Sequence, residues 1–258
     1  MARIHTQALI LRSVDFGESD LILHLLVPEF GRLPVIAKGA RRSVRRFAGT
    51  LDLFNHIEVQ IDRRRATSLA RLDQASLIEP FLSLRSDSAR YGLASYLLEL
   101  FNRLAPEGGV RGDTRRLFSF ALGALEALSC RVPDPRLRIL LELRALDALG
   151  LRPEFSRCVR CGSTSAARTA RYFHVADGGV ICEDCGSGVG GLLRVHSGTL
   201  RALDRGLRFE FDQLDRLVMS GPSLAEAHQL LDRFQRFHLG VELRSTPFLD
   251  RVCPPEPS

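Results

Sequence analysis

Four cysteines fall into two C-x2-C pairs, Cys158 with Cys161 and Cys182 with Cys185, with twenty residues between the pairs. Two thiolates three positions apart on a tight turn can both reach one tetrahedral ion. Two such pairs complete a four-sulfur site with no open coordination position. Gly162 and Gly186 stand directly after the pairs and permit a turn whose amides can donate to sulfur. The spacing predicts one structural Zn2+ per chain, held by Cys158, Cys161, Cys182 and Cys185. Its expected role is to fold residues 151–195, a segment too short to build a core of its own. His174 lies between the pairs, but four sulfurs already saturate the ion, so it is read as a surface or packing residue. Cys130 and Cys253 have no partner motif; Cys130 reads as helix packing and Cys253 as tail.

The second candidate site is electrostatic. The segment "AKGARRSVRRFAG", residues 37–49, carries Lys38, Arg41, Arg42, Arg45 and Arg46 and no acidic residue. Of 36 lysines and arginines in the chain, Lys38 is the only lysine. The formal charge of +6 favours a polyanionic partner. Five uncompensated positive charges on a turn-and-loop segment can follow a phosphate backbone without reading sequence. Arg63, Arg64 and Arg65 add to the same half of the chain. Phe47 and Phe16 could offer stacking surfaces, although core packing fits Phe16 better. The competing assignment is a solvated loop, with nucleic acid held by Arg157, Arg160, Arg168 and Arg171 of the cysteine segment.

Other chemistry is thin. "GSGVGG" at 186–191 imitates a phosphate loop but lacks the lysine and Ser/Thr that grip phosphate and magnesium. No H-E-x-x-H or G-x-S-x-G occurs. "RALDRGLRFEFDQLDR" holds four charges of each sign, which marks a solvated helical face and not a metal site. These features lower the expectation of an enzyme. No segment reaches the roughly 18 apolar residues of a membrane span. The N-terminal stretch has no signal-like apolar run, so a cytosolic, reducing environment is expected.

The elements that must position these groups are legible by period. Residues 1–80 read as five short strands broken at turn residues, a small barrel for which the oligonucleotide-binding fold is the five-stranded candidate. Residues 81–150 turn helical. Leu93, Leu97, Leu100, Phe101 and Leu104 recur at helical spacing, Ser86 or Asp87 can cap the first helix, and Pro106 and Gly108 stop it. Asp134 is the expected N-cap of a third helix, with Pro135 at its first position and Gly150 past its end. Residues 151–195 interrupt the helices, which resume over 196–250, with Leu224, Ala227, Leu231, Phe234 and Phe237 or His238 on one side. A disordered tail is expected over 251–258. The fold class is α+β: a five-stranded barrel, then one helical bundle with an inserted zinc ribbon.

The stretches "ALILRSVDFGESDLILHLLVPEFGRLPVIAKGARR", "LDLFNHIEV", "ELRALDALGLRPEFSRCVRCG" and "LRSTPFLDRV" resemble the RecO family of bacterial recombination mediators over nearly the whole chain. The AKGAR element and the helix running into C-x-x-C are the specific parts. Some members lack part of the cysteine set, so zinc rests on this chain's own spacing. The resemblance implies a non-enzymatic, nucleoid-associated DNA repair factor in the cytoplasm. Such proteins bind single- and double-stranded DNA, anneal complementary strands, and with RecR help load RecA onto DNA coated by single-stranded DNA-binding protein (SSB). Two other readings stay open: a nuclease-like zinc-ribbon enzyme, and a docking adaptor without direct DNA contact.

Overall fold

The computed structural model describes residues 2–43, 45–47, 49–63, 69–164, 172–240 and 242–256. The chain divides into two compact units at Val132/Pro133.

The first unit opens with five strands: β1 (Ala2–Phe16), β2 (Asp20–Val27), β3 (Gly31–Ala37), β4 (His56–Arg63) and β5 (Ala70–Glu79). They close a barrel in the order β1-β2-β3-β5-β4. β1 pairs antiparallel with both β2 and β4, while β3 meets β5 in parallel at Val35↔Ala70 and Ile36↔Arg71. This is the five-stranded arrangement the strand pattern predicts. In β3, Leu33, Val35 and Ala37 point into the barrel, as the two-residue period of a strand requires. Ala8, Ile10, Leu23, Leu25, Ile57, Val59, Ile61 and Leu72 complete that interior. The β3–β4 connection adds Ala40, Phe47 and Leu51 to the same core. The basic segment is therefore anchored by apolar residues at both ends, which leaves the arginines between them on the outside.

Two helices belong to this unit, α1 (Ser88–Leu104) and α2 (Arg111–Cys130). The Asp87 side chain accepts from the Arg90 N–H at 2.9 Å and caps α1. The β2–β3 turn meets the α1–α2 connection through Arg32 N–H to Pro106 O at 2.9 Å and Gly108 N–H to Phe30 O at 2.9 Å. Phe54 (φ 71) and Phe81 (φ 45) are buried in left-handed backbone, a conformation bulky residues rarely take. Arg85 donates to the carbonyls of Leu53 and Pro80, the residues preceding each.

The second unit contains α3 (Pro135–Ala148), β6 (Tyr172–His174), β7 (Gly179–Ile181), α4 (Glu183–Gly186), β8 (Leu192–Arg194), α5 (Ser197–Gly206), α6 (Gly221–Leu239) and α7 (Thr246–Val252). Asp134 caps α3 by accepting from the Leu137 N–H at 2.8 Å, Pro135 occupies the first turn, and Gly150 past the end has φ 81. The three short strands order as β7-β6-β8. Leu143, Leu146, Leu203, Leu224, Leu231 and Phe234 of the helices share one core with Phe155, Phe173, Val180, Leu193 and Val195.

Several expectations are corrected here. The helices up to 150 do not fall into one compact unit; α1 and α2 group with the barrel, and α3 with the later helices. The segment 151–195 does contribute to a core, because its strands present apolar residues to the helices beside it. Residues 251–253 are not tail: Arg251 and Val252 finish α7, and Cys253, just past its end, is buried, its carbonyl accepting from Arg138 Nη1 at 2.8 Å. Cys130 is exposed at the end of α2 instead of packed. On α6 it is His238 that turns inward, onto Val175 O at 2.9 Å, while Phe237 is exposed. Among the described residues, no helix is long and apolar enough to cross a membrane.

Candidate metal centre and nucleic-acid interface

The four sulfurs of Cys158, Cys161, Cys182 and Cys185 all lie within 4.8 Å of one another. The first knuckle is a tight turn closed by Gly162 N–H to Cys158 O at 2.9 Å and Cys158 N–H to Ser163 O at 2.9 Å. Gly162 takes φ 74, which only glycine adopts without strain. The second knuckle is the short α4, closed by Gly186 N–H to Cys182 O at 2.9 Å, with the left-handed turn displaced to Gly188 at φ 76. Cys161 Sγ and Cys182 Sγ stand 3.8 Å apart. A regular tetrahedron with Zn–S bonds of about 2.3 Å has an edge of about 3.8 Å, so the donor set fits that ion.

The electrostatics point the same way. Burial opposes the Cys158 thiolate, but the N–H groups of Cys161, Cys182 and Arg160 outweigh it and bring that thiol down to about 6. The neighbouring sulfurs of Cys182 and Cys161 push Cys185 up to about 12. The Ser163 N–H favours the Cys161 thiolate, yet the Cys158 and Cys182 sulfurs drive it upward overall. Four thiols this close cannot all ionise unless a cation sits among them. His174 is not part of the cluster; its Nδ1 lies 3.0 Å from Asp177 Oδ2.

The basic segment is arranged differently from its sequence. The segment has no acid of its own, but the β1–β2 hairpin supplies three carboxylates. Asp20 Oδ2 is 2.7 Å from Lys38 Nζ, Asp15 Oδ2 is 3.5 Å from Arg41 Nη1, and Glu18 Oε2 is 3.6 Å from Arg42 Nη2. Gly39 takes φ 64 and donates its N–H to Asp20 Oδ1 at 2.8 Å. Arg46 donates to Lys38 O at 2.7 Å and stacks 4.9 Å from the centre of the Phe47 ring. Among the described residues, Arg45 has no ion pair. Phe47 is buried and Phe16 is half-exposed at the hairpin, the reverse of the expected roles. These pairings come from residues about twenty positions upstream, and no local pattern signals them.

Asp20 makes a pH prediction. The Lys38 ammonium, followed by the Gly39 N–H, holds its carboxyl below the usual carboxylate range. A depressed folded-state value means that this anchor is in place above the ordinary carboxylate pKa and is lost only as pH falls through the lower one. A carboxyl-carbon NMR titration of Asp20 is expected to give a midpoint below the ordinary value of about 3.9; a midpoint at or above it contradicts the anchor.

Elsewhere the arginines of the cysteine segment are engaged. Arg157 Nε is 3.2 Å from Glu154 Oε2, and Arg160 Nε is 2.8 Å from Asp177 Oδ2. Arg64, Arg65, Arg168 and Arg171 lie outside the described residues.

Two family models match the chain: "Recombination protein O N terminal" over residues 1–81 and "Recombination protein O C terminal" over residues 85–247. Similar curated proteins carry the name DNA repair protein RecO. The one from Anaeromyxobacter sp. (strain K) is 35% identical over 257 residues, covering 98% of each chain. That from Roseiflexus sp. (strain RS-1) is 36% identical, covering 96% of this chain and 85% of the relative. That from Symbiobacterium thermophilum is 33% identical, covering 98% of each.

Proposed function

The chain belongs to the RecO family, and from that premise we propose that it is a non-enzymatic DNA repair and recombination mediator. It binds single- and double-stranded DNA, anneals complementary strands, and with RecR helps load RecA onto SSB-coated DNA. The observation that supports the DNA-binding part is the basic segment fastened to the core of the closed five-stranded barrel by Ala40, Phe47 and Leu51. In that position its arginines can meet phosphates without disturbing the core.

The five basic residues divide into two roles. Lys38 and Arg46 shape the edge, through Asp20, the Lys38 carbonyl and the Phe47 ring. Arg41, Arg42 and Arg45 contact phosphate. Asp15 and Glu18 are exposed and their pairs are long, so a phosphate oxygen can replace them at little cost. Guanidinium groups bind phosphate oxygens bidentately, and such contacts set affinity, not sequence choice. Annealing then amounts to holding two strands together by neutralising their phosphates, and it proceeds without nucleotide. Zn2+ held by Cys158, Cys161, Cys182 and Cys185 supplies a cross-link for residues 157–187 and no reactive position.

The test is a salt titration of DNA affinity with Arg41→Ala, Arg42→Ala and Arg45→Ala combined. Three lost phosphate contacts are expected to flatten the salt slope by about 2 units on single strands and slightly under 3 on duplex, alike for all sequences. A folded variant with wild-type affinity and slope overturns the assignment. Cleavage of DNA with added magnesium by the purified protein would instead favour the nuclease-like reading.

A further inference from the structure

We propose that Arg160 is a positioning residue that clamps the two cysteine knuckles to each other and so holds the four sulfurs at metal-binding separation. The proposal rests on the reading of Cys158, Cys161, Cys182 and Cys185 as a metal site. Arg160 lies inside the first knuckle, between Cys158 and Cys161. Its Nη1 donates to the carbonyl of Cys185, a ligand of the second knuckle, at 3.2 Å. Its Nε donates to Asp177 Oδ2, in the β6–β7 turn, at 2.8 Å. Asp177 in turn stands 3.0 Å from His174 Nδ1 on β6. One guanidinium thus ties together both knuckles and the hairpin between them. A guanidinium spreads its donors over separate nitrogens in a rigid planar fork, so Nε and Nη1 reach two acceptors in set directions; an ammonium has three rotatable donors on a single nitrogen and no such preset geometry.

Backbone bonds from Val159 N–H to Val180 O at 3.0 Å and from Val180 N–H to Glu154 O at 2.9 Å tie the first knuckle to β7, and the clamp adds the side-chain contact that reaches the second knuckle itself. Around the sulfurs, Cys158 and Ile181 are the buried members of a small cluster, with Val159, Leu192, Cys182 and Cys185 only partly covered. The large core of the unit reaches Phe155 on one side and Val180 on the other but none of the four cysteines. An exposed ion pair by itself adds little to stability. The consequence of losing Arg160 therefore lies in the metal site and not in global folding. The same contacts remove Arg160 from the candidates for phosphate binding.

The experiment uses the full chain loaded with Zn2+ or Co2+. Arg160→Ala and Asp177→Asn are each expected to weaken metal binding about 10- to 100-fold. Release of Zn2+ to a colorimetric chelator should accelerate. The double variant should lose no more than either single one, because both remove the same clamp. The Co2+ thiolate bands should keep their wavelengths, since the four ligands are unchanged. Arg160→Lys should not restore wild-type release. Wild-type release rates in Arg160→Ala overturn the clamp while leaving the metal site standing. Wild-type protein that binds neither metal overturns the metal reading and the clamp with it. Unchanged metal release together with weakened DNA binding in Arg160→Ala assigns the residue to phosphate contact instead.

Discussion

Replacing Cys158 by Ser, or stripping the metal with a chelator, is expected to melt both knuckles while the barrel stays folded. Structural zinc sites contribute about 10 kcal/mol or more of apparent binding energy in isolated fingers. That is comparable with the roughly 5–15 kcal/mol of net stability of a whole domain. Cys158 is the buried cysteine of the four, and it is the thiol that its neighbours' N–H groups most favour as a thiolate. Its loss removes the donor around which the others are arranged. Melting should stop at the edge of the helical core, because Phe155, Phe173, Val180 and Leu193 are buried by the helices and not by the metal. Hydrogen exchange can check this residue by residue. Amides of Gly162 and Gly186 should lose protection, those of β1–β5 should not change, and those of β6 and β7 should fall between. Purified protein with well under one equivalent of zinc and unprotected thiols sinks the prediction. So does equal protection at Gly162 before and after chelation.

Gly31→Ala is expected to be the most damaging single substitution in the first unit. Gly31 opens β3 with φ 70, a conformation costly for any residue with a Cβ. A methyl built there overlaps the carbonyl oxygen of Pro106 and stands 3.1 Å from Thr114 Cγ2. That carbonyl cannot move away freely, since it accepts the Arg32 N–H at 2.9 Å. The Arg32–Glu107 pair at 2.7 Å and the bond from Thr114 Oγ1 to Pro28 O at 2.7 Å hold the same junction. Strain and displacement together should cost about 3 kcal/mol or more. Gly17→Ala is the control: φ 61, with nothing within 4 Å of the added methyl, so only the backbone term of about 1–2 kcal/mol remains. Urea unfolding of the two variants compares them directly. A midpoint for Gly31→Ala no lower than that for Gly17→Ala would show that the junction yields.

What could be read from residue order was what nearest neighbours decide. The C-x2-C spacing brings two sulfurs to one turn whatever the rest of the chain does. Asp87 and Asp134 cap helices by bonding N–H groups three residues ahead. The two-residue period of Leu33, Val35 and Ala37 marks the inner face of a strand without reference to its partners. Each of these depends on interactions spanning a few residues, so the local pattern contains them.

Tertiary structure decided everything that depends on who lies opposite whom. The segment 37–49 has no acid of its own, yet it is paired by Asp15, Glu18 and Asp20 because β2 and β3 run side by side and bring the hairpin beside Gly39. Phe16 and Phe47 exchanged expected roles because only Phe47 follows a turn that returns it to the barrel interior. α1 and α2 read as members of a bundle, since an amphipathic stripe states that a helix has a partner but not which one. Arg160 read as a free cation, because its acceptors Asp177 and Cys185 lie 17 and 25 residues away. Side-chain type and short spacing carry the chemistry of a site; its charge balance and its alignment are set by chain segments distant in sequence, which pack together only once the whole unit has folded.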